Sequence, residues 1–145
     1  MNLEGIIAIT GKAGLFKVKS QGKNAVIVEN ISDKKRMPIT DRHQANTLEE
    51  IGIYTDEDTK PLSEIFDSIA IKENAKQSIS HKTAKNELII YFLEILPNFD
   101  EERVYISDIK KVIQWYNTLQ TAGLIELPKA DKKTSKKNET GEKVK

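Results

Sequence analysis

The hydrophobic pattern of this chain changes its period close to Pro61, and the change separates a strand-forming part from a helix-forming part. Before Pro61, short runs of β-branched and other apolar residues alternate with Gly, Asn and Asp, which is typical of short antiparallel strands joined by tight turns. After Pro61, apolar residues recur every three or four positions, which predicts amphipathic helices. We therefore expect an α+β fold in which the strands come first.

The strand-forming part contains five predicted strands. They cover residues 5–10, 15–19, 25–31, 35–39 and 51–54. The first is apolar on both faces, so we expect other parts of the chain to cover both. The fourth contains Pro38, which has no N–H to donate to a neighbouring strand, so it is expected at a sheet edge or a bulge. Five such strands favour a small antiparallel SH3-like barrel, with an open meander covered by a helix as the alternative.

Three helices are predicted from Pro61 onward. Residues 61–71 form the first, which we expect to cap the open side of the barrel. Residues 84–96, with Thr83 as N-cap, are apolar almost all round, so this helix must be buried on several sides. The third helix covers residues 107–122, with Ser107 as N-cap and Gly123 as its C-terminal stop, and forms a helical hairpin with the second.

Polar and charged segments divide the chain into predicted units. A polar stretch without clear periodicity separates the first helix from the second, and the C-terminal stretch is rich in lysine with one apolar valine, so we expect it to be disordered. The predicted units are a barrel domain with its helix at residues 1–72, a linker at 73–82, a helical domain at 83–127 and a basic tail at 128–145.

Several classes of protein are disfavoured by composition. The chain has no cysteine, which excludes disulfides, thiolate metal sites and a cysteine nucleophile and favours a reducing, cytoplasmic compartment. The longest apolar stretch, residues 88–93, is far shorter than the roughly 20 residues that span a bilayer, so we expect no membrane association. No secretory signal is visible at the N-terminus.

No motif in the sequence predicts catalysis, a metal or a cofactor. The turn Gly11-Lys12-Ala13-Gly14 lacks the Ser or Thr and the following helix of a phosphate-binding loop, so a plain hairpin turn is favoured. The two histidines, His43 and His81, have no partner at metal-ligand spacing. Acidic residues at 56–58 and 100–102 lie in turns before helices, where solvation and the helix dipole favour them. We therefore expect a protein that is not an enzyme.

Basic residues near the N-terminus form the first predicted binding surface. The set is Lys12, Lys17, Lys19, Lys23, Lys34, Lys35 and Arg36. Lysines beside an exposed aromatic ring bind single-stranded nucleic acid, because the charges contact phosphates and the ring stacks on a base. Phe16 or Tyr54 would supply the ring, although Phe16 also fits the core and edge lysines also protect strands from aggregation.

The second predicted surface lies on the helical hairpin. Because the helix at residues 84–96 is apolar all round and the unit is small, an unmet apolar face is expected to dock on the barrel or on a second chain. We assign Tyr91, Trp115 and Tyr116 to this protein interface, with Trp115 at the margin of its helix stripe. A plain two-helix core is the alternative.

Two blocks of sequence resemble a known bacterial pair of domains. One block consists of residues 3–17 (LEGIIAITGKAGLFK), 33–38 (DKKRMP) and 48–55 (LEEIGIYT), and it resembles an N-terminal domain of unknown function from Bacteroidetes-type bacteria. The other consists of residues 91–97 (YFLEILP) and 103–117 (RVYISDIKKVIQWYN), and it is similar to the domain usually paired with that one. The resemblance covers about residues 1–127. It implies the domain layout and compartment, and no activity, cofactor or catalytic residue.

The leading hypothesis is a non-enzymatic module that binds another protein, or a second copy of itself. The alternative is an RNA- or DNA-binding protein that uses the basic strands, assisted electrostatically by the lysine-rich tail.

Overall fold

The computed structural model describes residues 3–12, 14–40 and 43–127, and in these it shows an α+β fold with two antiparallel sheets and three α-helices. The strands are β1 (Ile6–Ile9), β2 (Phe16–Gln21), β3 (Val26–Asn30), β4 (Arg36–Ile39), β5 (Ala45–Thr47), β6 (Gly52–Tyr54) and β7 (Thr59–Pro61). The helices are α1 (Leu62–Glu73), α2 (Lys85–Ile95) and α3 (Ile106–Thr121), and a 3₁₀ helix (Leu48–Glu50) follows β5. The predicted fold class is confirmed. The predicted tail at 128–145 lies outside the described residues.

The larger sheet is an antiparallel array in the order β4-β3-β2-β1-β5. Its first four strands are those predicted from the alternation of apolar runs and turns. Pro38 lies in β4, which is an edge strand, as its missing N–H requires. The first hairpin turn uses Gly11 and Gly14, whose φ angles of 84° and 85° are readily adopted only by glycine. This turn joins two strands, as the plain-hairpin interpretation requires.

The predicted fifth strand exists, but it does not belong to the larger sheet. Residues 52–54 form β6, which pairs with β7 in the separate two-stranded sheet. The fifth place in the larger sheet belongs to β5, whose residues Ala45 and Thr47 lie opposite Ile9 and Ile7 of β1. The sequence Ala-Asn-Thr has no apolar alternation, so it could not be recognised as a strand by its pattern. It forms a strand because the edge of β1 needs a hydrogen-bonding partner.

Strand β1 is buried on both faces, as its continuous apolar sequence predicts. One face contributes to a small core inside the sheet, made of Ile7, Ile9, Phe16, Val28 and Ile39. The other face contributes Ile6 to the main core, which the three helices share with the sheet. Ile39 at one sheet edge and Ala45 at the other line the same opening, of about 930 Å³. The sheet therefore curls around its small core.

The main core joins all three helices. Its α1 residues Leu62, Ile65, Phe66 and Ile69 are fully buried among residues of the sheet, the 3₁₀ helix and both later helices. Helix α1 packs against the 3₁₀ helix as well as α2 and α3. None of the helices among the described residues combines the length and the apolar character needed to cross a membrane.

The helix ends differ from prediction at two caps. Ala84, and not Thr83, is the N-cap of α2. Helix α3 begins at Ile106 with Tyr105 as N-cap, so Ser107 is already inside the helix. The carboxylate of Asp108 accepts a hydrogen bond from the N–H of Tyr105 at 3.0 Å, so an acidic side chain in the first turn, and not Ser107, contributes to the cap.

The predicted linker is held against α3 by side-chain hydrogen bonds. Asn117 of α3 accepts the N–H of Ser78 at 2.8 Å and donates to the carbonyl of Ile79 at 3.0 Å. The hydroxyl of Tyr116 donates to the carbonyl of Lys76 at 2.8 Å. Residues 76–79 therefore pack as part of the helical layer, while the division into domains at residues 73–82 stays a prediction.

Candidate binding surfaces

Two of the predicted basic residues, Lys19 and Arg36, pair with one carboxylate on the outer face of the sheet. Glu29 of β3 lies opposite Lys17 of β2 on one side and Arg36 of β4 on the other. Its carboxylate is 3.2 Å from the Nε of Arg36 and 3.5 Å from the Nζ of Lys19, which a bulge in β2 displaces from the regular register. Part of the positive charge of this strand face is therefore neutralised within the sheet.

The pKa of Glu29 reflects this arrangement. Desolvation acts to raise the pKa of its carboxyl, but the hydrogen bond from Arg36 and the charges of Lys19 and Arg36 outweigh it and hold the pKa below its usual range. Glu29 is thus ionised at neutral pH. It acts as a fixed negative centre among the basic strand residues.

Neither aromatic residue proposed for this face places an exposed ring on it. Phe16 is buried in the small sheet core. Tyr54 is 45% exposed, but it lies on β6 of the smaller sheet, with the guanidinium of Arg103 4.3 Å from its ring centroid. The strand face therefore presents charge without a stacking surface.

The other members of the basic set lie apart from this face. Lys34 and Lys35 are exposed in the turn between β3 and β4, which is held by hydrogen bonds from Ser32 to Asn30 and from Lys35 to Asp33, both 2.8 Å. Lys23 lies at the opening of the curled sheet. The predicted set is accordingly spread over several surfaces.

Lys12 lies in a cleft between the turn after β1 and helix α3. The cleft has a volume of about 340 Å³, and α3 contributes Lys111, Gln114 and Trp115 to its wall. The structure thus brings together Lys12 from the predicted basic set and Trp115 from the predicted protein interface. Lys111 belonged to neither set, although its position one helical turn before Trp115 places both on one side of α3.

Tyr91 and Tyr116, the other two residues assigned to a protein interface, are core residues of the described chain. Their exposed fractions are 6% and 0%. The hydroxyl of Tyr91 donates to the carboxylate of Glu73, and the Nζ of Lys72 lies 5.4 Å from the centre of the same ring. Burial raises the pKa of both tyrosines, and the charge of Glu73 adds to the effect in each. Only Trp115 of the three is partly exposed.

An uncovered apolar face lies on α2 instead. The side that carries Leu88, Tyr91 and Phe92 is buried. On the remaining side, Ile89 and Leu93 are partly exposed and Ile90 is 60% exposed. The sequence indicated this face, because the α2 segment is apolar almost all round. None of the residues Ile89, Ile90 and Leu93 was assigned to the predicted interface.

A groove of about 360 Å³ adjoins this face where α2 meets the start of α3. Ile89, Val104, Tyr105 and Ile106 line it. Tyr105 is 66% exposed there. Lys85 and Glu101 supply one positive and one negative charge to the same groove.

The acidic turns at residues 56–58 and 100–102 lie next to each other. Asp56 accepts a hydrogen bond from the side chain of Asn98 at 3.0 Å. Hydrogen bonds from Arg103 and from the N–H of Glu102 hold the pKa of Asp100 below its usual range. The described residues contain no group of three His, Asp or Glu side chains placed to hold a metal ion.

Comparison with known proteins places the chain in a family. Residues 3–48 match the model of a domain of unknown function, DUF5606, and residues 51–119 match a second domain of unknown function, DUF6852. A solution NMR structure of a protein from Bacteroides vulgatus, from the Northeast Structural Genomics Consortium, is 44% identical, with 87% of this chain and 91% of that chain covered and a TM-score of 0.72. The chain belongs to the family that pairs these two domains. The predicted resemblance is confirmed.

The boundary between the two family models falls between residues 48 and 51, immediately after the 3₁₀ helix begins. The second model thus includes β6, β7, α1, α2 and all but the last two residues of α3. No curated protein matches the chain.

Proposed function

We propose that the chain is a non-catalytic protein-interaction module that docks a partner on the uncovered face of α2. The observation that carries the proposal is the 60% exposure of Ile90. It lies beside Ile89 and Leu93, which pack partly against the main core and remain partly exposed. Burying an exposed isoleucine side chain contributes about 1.5–3 kcal/mol. A contiguous apolar face beside a groove is therefore a suitable anchor for another protein surface.

The partner that this surface favours is a second copy of the chain. In a two-fold symmetric dimer, a residue that contacts a second residue of the other copy is matched by the same contact in reverse. The surface must therefore be complementary to itself. The groove carries both Lys85 and Glu101, and a two-fold axis can bring the lysine of one copy to the glutamate of the other. The absence of cysteine supports a reducing, cytoplasmic compartment for this module.

Sedimentation equilibrium of the purified chain over a wide concentration range tests the proposal. The wild type is expected to associate reversibly to a dimer. Ile90→Glu is expected to remain monomeric, because it places a charge at the centre of the apolar face.

Ile71→Glu is the matched control. Ile71 is 64% exposed on α1 and lies outside the α2 face. The Ile71→Glu variant should dimerise as the wild type does. A wild type that stays monomeric at every concentration, or two variants that dissociate equally, would contradict self-association through α2.

A further inference from the structure

The cleft between the first hairpin turn and α3 combines two cations with an aromatic ring. Lys12 stands on the turn and Lys111 on the helix, so the positive charges lie on different walls. Neither lysine forms an ion pair within the described residues, and the described lining contains no carboxylate. This distinguishes the cleft from the strand face, where Glu29 offsets the charge of Lys19 and Arg36.

Trp115 supplies the ring. It packs against the main core and also lines the cleft, so the core holds it in place while part of it remains exposed. A fixed, partly exposed indole is a suitable platform for a nucleobase, because every base has a π face that can stack on it. Fixing the ring in advance also reduces the conformational entropy lost on binding.

Amide side chains complete the lining. Asn46 of β5 and Gln114 of α3 both line the cleft, and each can donate and accept hydrogen bonds at the edge of a base. The volume of about 340 Å³ lies at the lower end of the range for small-ligand sites, about 300–1,000 Å³. The cleft is therefore large enough for a nucleotide unit.

We propose that this cleft binds single-stranded nucleic acid, with a base stacked on Trp115 and flanking phosphates held by Lys12 and Lys111. An acidic peptide would use the lysines and leave the ring without a role, so a phosphate-linked base fits the combination better. The segment at residues 129–145 carries seven lysines and three acidic residues, and its positive charge strengthens attraction to a polyanion.

The single tryptophan of the chain makes the proposal directly measurable. Titrating the full chain with an oligothymidine of about 12 nucleotides, within the range of single-strand site sizes, is expected to quench the fluorescence of Trp115. For two phosphate contacts, the logarithm of the affinity should fall with the logarithm of salt concentration with a slope of about −1.4 from the cleft. Any tail contacts add to this slope.

Charge-reversal variants locate the site. Lys12→Glu combined with Lys111→Glu is expected to weaken binding about tenfold or more. Lys23→Glu combined with Lys35→Glu changes the net charge equally at exposed positions outside the cleft, and should weaken binding markedly less. Circular dichroism checks that both double variants fold, which we expect because all four lysines are exposed.

Three outcomes would overturn the proposal. One is an oligonucleotide that binds without changing Trp115 fluorescence, and another is an equal loss of affinity in the two double variants. The third is quenching by polyglutamate with the same affinity as the oligothymidine, which would assign the cleft to acidic peptides. Because the cleft and the α2 face share no residue, Ile90→Glu should bind the oligonucleotide normally, so this test and the dimerisation test fail independently.

Discussion

The side chain of Asn117 bonds to the main chain of residues 78 and 79, nearly 40 positions earlier in the sequence. Its Oδ1 accepts the N–H of Ser78 at 2.8 Å, and its Nδ2 donates to the carbonyl of Ile79 at 3.0 Å. One amide thus satisfies a donor and an acceptor of a segment that has no regular secondary structure. Such pairing is what fixes an irregular segment against a helix, because buried main-chain groups must find partners.

Asn117→Ala should therefore destabilise the fold far more than an ordinary surface substitution. The three hydrogen bonds of its side chain are lost, including the one that it accepts from the Ser78 hydroxyl at 2.9 Å. The partly buried N–H of Ser78 loses its partner, while the Ile79 carbonyl keeps the Ser78 hydroxyl at 3.0 Å. We therefore expect the free energy of unfolding to fall by about 2–3 kcal/mol. Urea denaturation measures this change in the free energy of unfolding. Asn98→Ala is the control, because Asn98 is exposed and its side chain makes one hydrogen bond, to Asp56, so it should cost about 0.5 kcal/mol. Equal losses in the two variants would show that Asn117 does not hold the segment.

Tyr116 should make the free energy of unfolding fall as the pH rises in the alkaline range. Its hydroxyl donates to the carbonyl of Lys76, and burial together with the charge of Glu73 raises the pKa of Tyr116 to about 12. In the unfolded chain the pKa is about 10. Between these values the unfolded chain releases the proton while the folded chain retains it, so the unfolded state is favoured as pH rises.

The measurement compares wild type with Tyr116→Phe. Near pH 8 the wild type should be more stable by about 1 kcal/mol, the contribution of the lost hydrogen bond. This advantage should shrink as pH rises through about 10 towards 12, because phenylalanine has no proton to release. Comparing the two proteins at each pH cancels the titration of lysines. A difference that stays constant over this range would show that the pKa of Tyr116 is not raised.

The sequence was sufficient for features that depend on local chemistry. Pro38 predicted an edge strand because it lacks an N–H, and the structure has it there. Gly123 predicted the end of α3, where its φ is 77°. The continuous apolar run of β1 predicted burial on both faces, and two different cores cover it. Each of these features follows from one residue or one short run.

Features that depend on contacts between residues far apart in the chain could not be predicted from the sequence. Strand β5 is too polar to be recognised alone, and its place is set by the edge of β1. Tyr91 and Tyr116 were assigned to an interface because the sequence does not reveal that α1 and residues 76–79 cover them. Lys12 and Trp115 lie about 100 positions apart, and only the packing of α3 beside the first hairpin turn brings them into one cleft.

Two residues with positive φ should respond to substitution in opposite directions. Gly123 terminates α3 with φ 77°, and the N–H of Leu124 bonds to the carbonyl of Leu119 at 2.9 Å. A Cβ at Gly123 would meet no atom within 4 Å, so Gly123→Ala should cost about 1 kcal/mol from backbone strain alone. Ala75, after α1, has φ 63°, so Ala75→Gly should stabilise the fold by about 0.5–1 kcal/mol. Thermal unfolding of both variants measures the two signs, and a shift in the same direction for both would contradict the argument.

Glu29 should limit the affinity of the strand face for polyanions. Because its carboxylate lies between Lys19 and Arg36, Glu29→Gln leaves both cations without their partner and raises the local positive potential. We expect this variant to elute from a heparin column at higher salt than the wild type. Glu64→Gln changes the net charge equally on α1, where Glu64 pairs with Lys60 at 3.8 Å, and should shift elution less. If both variants shift equally, net charge alone governs retention, and Glu29 has no special effect on the strand face.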